Sequence, residues 1–151
     1  MKRILLAFGA CLLLASPIIA PRAFAQTAAE LETLLHADAV SYGQAASFVL
    51  RAADVAASGS AFDYAAGQNW LPAAATQDTV AKLSGVSLLV MQAFNIKGGA
   101  FYTLIRTPHY AYRELLQQNI IQGRADPDMA VSGDLLLFIV NRALEQKEGE
   151  L

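Results

Sequence analysis

The sequence predicts an all-α domain of three degenerate helix-loop-helix units, and three observations lead to it. Apolar residues recur at helical spacing along most of the chain beyond residue 25. Ser41, Ser84 and Ser132 each follow an aliphatic residue and precede a strongly apolar segment, as helix N-caps do. Between these segments the chain is punctuated by glycine, proline and small polar clusters.

The first 25 residues have a different character. Lys2 and Arg3 precede an apolar run from Ile4 to Ala15, Pro17 breaks it, and Ala23-Phe24-Ala25 has the small-x-small form of a cleavage site. That order is a secretory signal peptide, so residues 1–25 are expected to be removed and Gln26 to become the mature N-terminus. A cut after Ala20 would put Pro21 just beyond the scissile bond, where the missing N–H and fixed φ make a poor substrate. The alternative is an uncleaved anchor, but Gly9, Ser16 and Pro17 interrupt a stretch already short of the roughly 20 apolar residues a spanning helix needs. Phe8-Gly9-Ala10-Cys11 has part of a lipobox, yet most of the apolar segment still follows it, so Cys11 reads as part of that segment. The expectation is an exported envelope protein, in the periplasm or at the cell surface, with no transmembrane span after cleavage.

Cleavage would remove the only cysteine, which suits an oxidising compartment and leaves stability independent of disulfides. Losing Lys2, Arg3 and Arg22 from 11 basic residues leaves 8 against 13 acidic, a net charge of −5. That balance argues against nucleic acid or an anionic membrane surface as partner. The remaining chain of about 125 residues is enough for one domain, residues 26–151, with a genuine core.

Thr27-Ala28-Ala29-Glu30 has the form of a capping box and predicts a first helix to about His36. Ser41-Tyr42-Gly43-Gln44 repeats that form and launches a second helix, expected to stop near Ser58-Gly59-Ser60. A short helix over residues 61–67 precedes Trp70-Leu71-Pro72, an inward apolar pair and a proline stop. After Ser84 the run Val86 to Phe94 is apolar on nearly all sides, so it must be surrounded by other elements, and Lys97-Gly98-Gly99 is expected to close it. Residues 100–107 are ambiguous between a link and a helical turn. Pro108 opens an amphipathic helix to Gln118 with Ala111, Leu115 and Leu116 inward. Ile120-Ile121, a turn at Gly123 and Asp126-Pro127, and Ser132 then lead to a last helix, again apolar all round.

The three serines lie 43 and then 48 residues apart, and Arg51-Ala52 and Arg142-Ala143 each fall ten residues past their cap. Such spacing fits a recurring supersecondary unit whose capped helices meet at a common centre; the alternative is an ordinary helical bundle, in which serine caps before apolar helices are common. In the last unit, His109-Tyr110-Ala111-Tyr112-Arg113-Glu114-Leu115, Ile120-Ile121-x-Gly123 and Pro127-Asp128-Met129-Ala130-Val131-Ser132 resemble the S-layer homology repeat, with its H-W-A helix start, G-I-I-x-G turn and P-D-x-x-V-T cap. The resemblance is best over residues 109–144 and weaker over 61–95; over 27–56 only the second helix matches. It implies a pseudo-threefold, trefoil-like helical domain that binds cell-wall polysaccharide. Two departures stand out: the family's arginine after the cap is replaced by Tyr42, Gly85 and Gly133, and Arg124-Ala125-Asp126 stands where the family has D-G-T-F.

Candidate ligand-binding residues are Arg106, Tyr110, Tyr112, Arg113 and Arg124, since aromatic faces beside guanidinium groups suit a sugar or muropeptide. The competing reading makes Tyr110 a core anchor and the arginines solvated. Asp126-Pro127-Asp128 lacks the further oxygen ligands of a calcium loop and reads as a turn. His36 and His109 have no zinc-ligand spacing, so no metal or cofactor is expected. Catalysis is not expected either: the cap serines have occupied hydroxyls, no G-x-S-x-G occurs, and Glu30, Asp63 and Glu114 have nothing to mark them as a glycosidase pair. The sequence therefore favours a non-catalytic module for peptidoglycan or another wall polymer. An envelope protein-protein interaction or structural subunit is the alternative, and a small hydrolase comes third.

Overall fold

Each helix of this chain has to satisfy the backbone N–H groups of its first turn and the carbonyls of its last, and the way it does so builds the fold. A computed structural model describes residues 21–123 and 126–149; within them the chain is all-helical and no strand is present beyond two isolated bridges. The helices are α1 (Pro21–Leu35), α2 (Tyr42–Ala52), α3 (Ala61–Gly67), α4 (Leu83–Ala93), α5 (Ala100–Leu104), α6 (Pro108–Gln117) and α7 (Gly133–Gly149). None of them is long and apolar enough to cross a membrane. Most of the predicted signal peptide, residues 1–20, lies outside the described residues.

Four helices end by one device. The N–H of Val55 donates to the Leu50 carbonyl, Trp70 to Ala65, Ile96 to Met91 and Ile120 to Leu115, each bond at 2.9 Å. Just before each donor stands a left-handed residue, Asp54, Asn69, Asn95 or Asn119, with φ between 53° and 58°. These are Schellman ends in which aspartate or asparagine occupies the position usually given to glycine. Each donor is also apolar and folds back on the helix it closes. The stop of α2 therefore comes at Ala52, earlier than the Ser58–Ser60 cluster predicted. Likewise α4 ends at Ala93, with Asn95 as its left-handed residue, rather than at Gly98; Gly98 instead gives room to the Tyr102 ring, which a Cβ at Gly98 would strike.

The helix starts meet in the interior. Ala81 N–H donates to the Val40 carbonyl (2.8 Å), Val40 N–H to the Val131 carbonyl (2.8 Å) and Val131 N–H to the Ala81 carbonyl (3.0 Å), a closed cycle of three residues that are all fully buried. Buried backbone groups must find partners, and here each segment supplies the partner of the next. The same exchange serves the first turns: Tyr42 and Gly43 donate to Thr79 and Gln77, Leu83 and Ser84 to Met129 and Pro127, and Gly133 to Ala37.

Side-chain caps add to this unevenly. Ser41 and Gln44 form the predicted capping box, and the Ser132 hydroxyl accepts from Leu135 N–H at 3.3 Å. Ser84 is not a cap. The residue at the N-cap of α4 is Lys82, two positions earlier, with no side-chain cap bond. Its own N–H donates to the Tyr42 hydroxyl at 3.3 Å instead. Thr27 is not a cap either, since α1 begins at Pro21.

Around these starts the core closes. α4 is the central helix, in contact with α2, α6 and α7, and nine of its eleven residues are buried. α7, expected to be apolar on every side, buries only the face of Gly133, Leu136, Ile139, Val140 and Ala143 and leaves Phe138 40% exposed. α6 turns Ala111, Tyr112 and Leu115 inward, with Leu116 half-buried. The ambiguous residues after Gly99 form α5, a single turn of helix between α4 and α6.

Candidate binding surfaces

Two surfaces have the makings of a site. The larger is a groove of about 950 Å³ between α1 and α2, closed at one end by the Gln77-Asp78 turn. It is within the size range of small-ligand sites. Its apolar lining comes from Leu34, Phe48 and Ala52, and its polar groups from Gln44, Ser47, Gln77 and Asp78. An ion pair bridges the two helices, Arg51 Nη1 to Glu30 Oε2 at 3.2 Å. Both partners are well exposed, so the pair shapes the groove more than it stabilises the fold. Gly43 lets the α2 start approach the Gln77 turn: a Cβ there would lie 2.7 Å from Gln77 Cγ.

None of these groove residues was among the predicted site residues. The Ser41-Tyr42-Gly43-Gln44 motif did mark the place, because a glycine just inside a capped helix signals close backbone approach. The partner of that approach comes from residues 77 and 78, and no local pattern links them to position 43.

The predicted aromatic and basic cluster divides on folding. Tyr112 is buried within the core and cannot stack on a ligand, because position 112 lies on the inward face of α6 with Ala111 and Leu115. Tyr110 is half-buried and stacks on Phe101 with centroids 6.1 Å apart and planes 11° from parallel, while His109 meets it edge-on at 5.6 Å. Arg106 and Arg113 are exposed, and Arg124 lies outside the described residues. Arg106 lines a second cavity of about 320 Å³ with Gln92, Lys97 and Tyr102. There Gln92 Nε2 donates to Tyr102 Oη at 2.6 Å. Burial pushes the Tyr102 phenol above its usual pKa of 10.0, and the Gln92 bond partly offsets that rise.

The positions that follow the three N-caps are Tyr42, Leu83 and Gly133, all buried. In the corrected register Leu83, not Gly85, is the residue after the cap of α4. Gly133 sits directly under the end of α1, since a Cβ on it would lie 1.6 Å from the Leu34 carbonyl oxygen. Gly85 lies under Tyr42, whose hydroxyl would be 2.3 Å from an added Cβ. No cation is presented to a ligand from any of these positions.

Asp128 N–H donates to the Asp126 carboxylate at 2.9 Å, the local geometry of an Asx turn. Among the described residues no group of three or more histidine, cysteine, aspartate or glutamate side chains is placed to hold a metal. No family model matches the chain, and neither a curated protein nor a solved structure is significantly similar to it.

Proposed function

We propose that the protein is an exported, non-catalytic envelope module that binds peptidoglycan or another wall polymer through the α1-α2 groove. The observation that carries this reading is the groove itself: apolar carbon at Phe48, Leu34 and Ala52 beside hydroxyl and amide groups, the mixture that a sugar ring with apolar faces and a hydroxyl rim recognises. Two acids, Glu30 and Asp78, against the single cation Arg51 favour an uncharged or amino sugar over an anionic glycan.

In this reading the domain is a pseudo-threefold assembly of degenerate units similar to the S-layer homology repeat. The units are α1 with α2, α3 with α4, and α6 with α7, and residues 1–25 are a signal peptide removed before Gln26. The closed hydrogen-bond cycle of Val40, Ala81 and Val131 supports the threefold relation, as does the matching place of Ser41, Lys82 and Ser132 at the start of each unit's second helix. The buried residues at the arginine positions move the binding role away from the family's usual contacts.

The test is co-sedimentation with purified sacculi together with titration of soluble glycan fragments. Ser47→Trp, which fills the groove, and Phe48→Ala, which removes its aromatic group, are each expected to reduce binding about tenfold or more. Arg106→Glu, outside the groove, is expected to leave it within twofold. If wild-type protein stays in the supernatant and no fragment binds, the polymer reading fails. N-terminal sequencing of the exported protein tests the start at Gln26.

A further inference from the structure

Seven large apolar side chains are substantially exposed among the described residues, and three of them, Phe101 (70%), Leu104 (81%) and Ile105 (44%), belong to one helical turn and the residue that ends it. All three face solvent, and none of them lines either cavity. Isolated apolar residues on a surface are ordinary, but neighbours this exposed on a single turn are not. Phe101 continues into Tyr110 and His109 through the stacked and edge-on ring contacts, so the apolar tip has an amphipathic aromatic base.

The charge around this tip runs against that of the whole chain. The sequence carries a net charge of −2, yet from Lys97 to Arg113 it contains three cations and no acid. Lys97 and Arg106 flank the small cavity beneath α5, and Arg113 lies one turn from Tyr110 and from His109 on the outer face of α6. All three cations are exposed, and none has an ion-pair partner within 4 Å among the described residues, whereas Arg51, Lys82 and Arg142 each have one. The one carboxylate alongside is Glu114, packed against the backbone at Gly99.

We propose that α5 is a membrane-contacting tip that inserts Phe101, Leu104 and Ile105 into the interface of an anionic bilayer while Lys97, Arg106 and Arg113 engage lipid phosphates. A protruding apolar turn within a collar of cations matches a surface that is soft, apolar beneath and negative at its face. A protein partner would more often meet a flat or concave patch with buried anchors. The overall acidic charge argues against adhesion of the whole surface to an anionic bilayer, as expected from composition, but not against this local contact, because screening confines the interaction to charges within about 10 Å of the lipid surface. This inference is independent of polymer binding in the α1-α2 groove, and failure of either leaves the other standing.

Two reporters, F101W and L104W, each place an indole on the tip, with Trp70, half-buried against Tyr64, as the internal reference. Purified protein is mixed with vesicles of phosphatidylcholine alone or with added phosphatidylglycerol, some carrying brominated acyl chains as quenchers. The expected result is a blue shift and bromine quenching of the new indole on phosphatidylglycerol vesicles, reversed by high salt. Adding R106E and R113E to either reporter is expected to lower the partition coefficient about tenfold or more, and L104S in the F101W protein about tenfold. No response of either reporter to either vesicle overturns the proposal. So does a response equally strong on phosphatidylcholine and indifferent to R106E/R113E, or quenching confined to Trp70. Circular dichroism verifies folding; both reporter sites are outside the core, and either one alone decides the outcome.

Discussion

The starts of α4 and α7 hold corresponding places in the buried cycle and are built in opposite ways. At α7 the neighbouring chain comes so close that nothing larger than hydrogen fits on Gly133, and a serine hydroxyl caps the turn. At α4 the cap has no hydroxyl, and a bulky phenol from α2 fills the space over Gly85 and accepts the Lys82 N–H. The backbone exchange is common to both, while the side chains that complete it differ. Two helix starts of one chain can thus share a main-chain arrangement while the side chains that complete it differ.

The difference is open to test, beginning with the largest effect. Gly133→Ala is expected to cost about 3 kcal/mol or more in chemical denaturation, because the clash is with backbone that cannot rotate away. If the end of α1 were not docked there, the same change would stabilise α7 by up to about 1 kcal/mol through helix propensity, so the sign alone decides. Gly85→Ala is expected to cost about 2 kcal/mol, since the obstacle is a side chain. The cost should shrink in a Tyr42→Phe background, which removes the nearest atom, and a double-mutant cycle measures that coupling.

Tyr42→Phe alone should cost about 1 kcal/mol for the lost acceptor. It should also change the alkaline limb of stability. Burial raises the Tyr42 phenol above 10.0, more than the Lys82 N–H bond lowers it. The folded state therefore holds this proton more tightly than the unfolded chain, and the associated stability is present below pH 10 and lost as pH rises through the folded pKa. Thermal melts from neutral pH to about pH 11 should show a steeper decline in wild type than in the phenylalanine variant. Ser41→Ala should likewise cost about 1 kcal/mol and Ser84→Ala, smallest of all, less than about 0.5, which separates the true cap from the apparent one.

Much of the fold was legible because local signals and burial agreed. Ser41 with Gln44 and Pro108 marked the starts of α2 and α6 where they are observed, and the apolar run placed α4 inside the core. The errors have physical causes. Ser84 resembles a cap by composition, but α4 starts two residues earlier because Lys82 pairs across the cycle with Ala130 and Tyr42 takes over its N–H. The glycine clusters at residues 58–60 and 97–99 pointed past the ends of α2 and α4, because this chain uses Asp54 and Asn95 there, as it uses Asn69 and Asn119 after α3 and α6, for left-handed geometry. The stretch over residues 135–140 of α7 is as apolar as α4 by eye, yet it lies at the edge of the core and leaves Phe138 exposed, and composition alone does not report position. The candidate site was less legible. Arginines and tyrosines near one another in sequence divided between core and surface according to their phase on α6, while the groove joins residues 30, 48 and 78, which share no local pattern.

The Val40, Ala81 and Val131 cycle sets a condition on how the chain can be divided. Deleting any one of the three segments would strand one donor and one acceptor at the interior junction between the survivors, deprived of both water and partner. Two-thirds of this protein is therefore not a smaller stable version of it, and the molecule should unfold in one cooperative transition rather than shed its parts in turn.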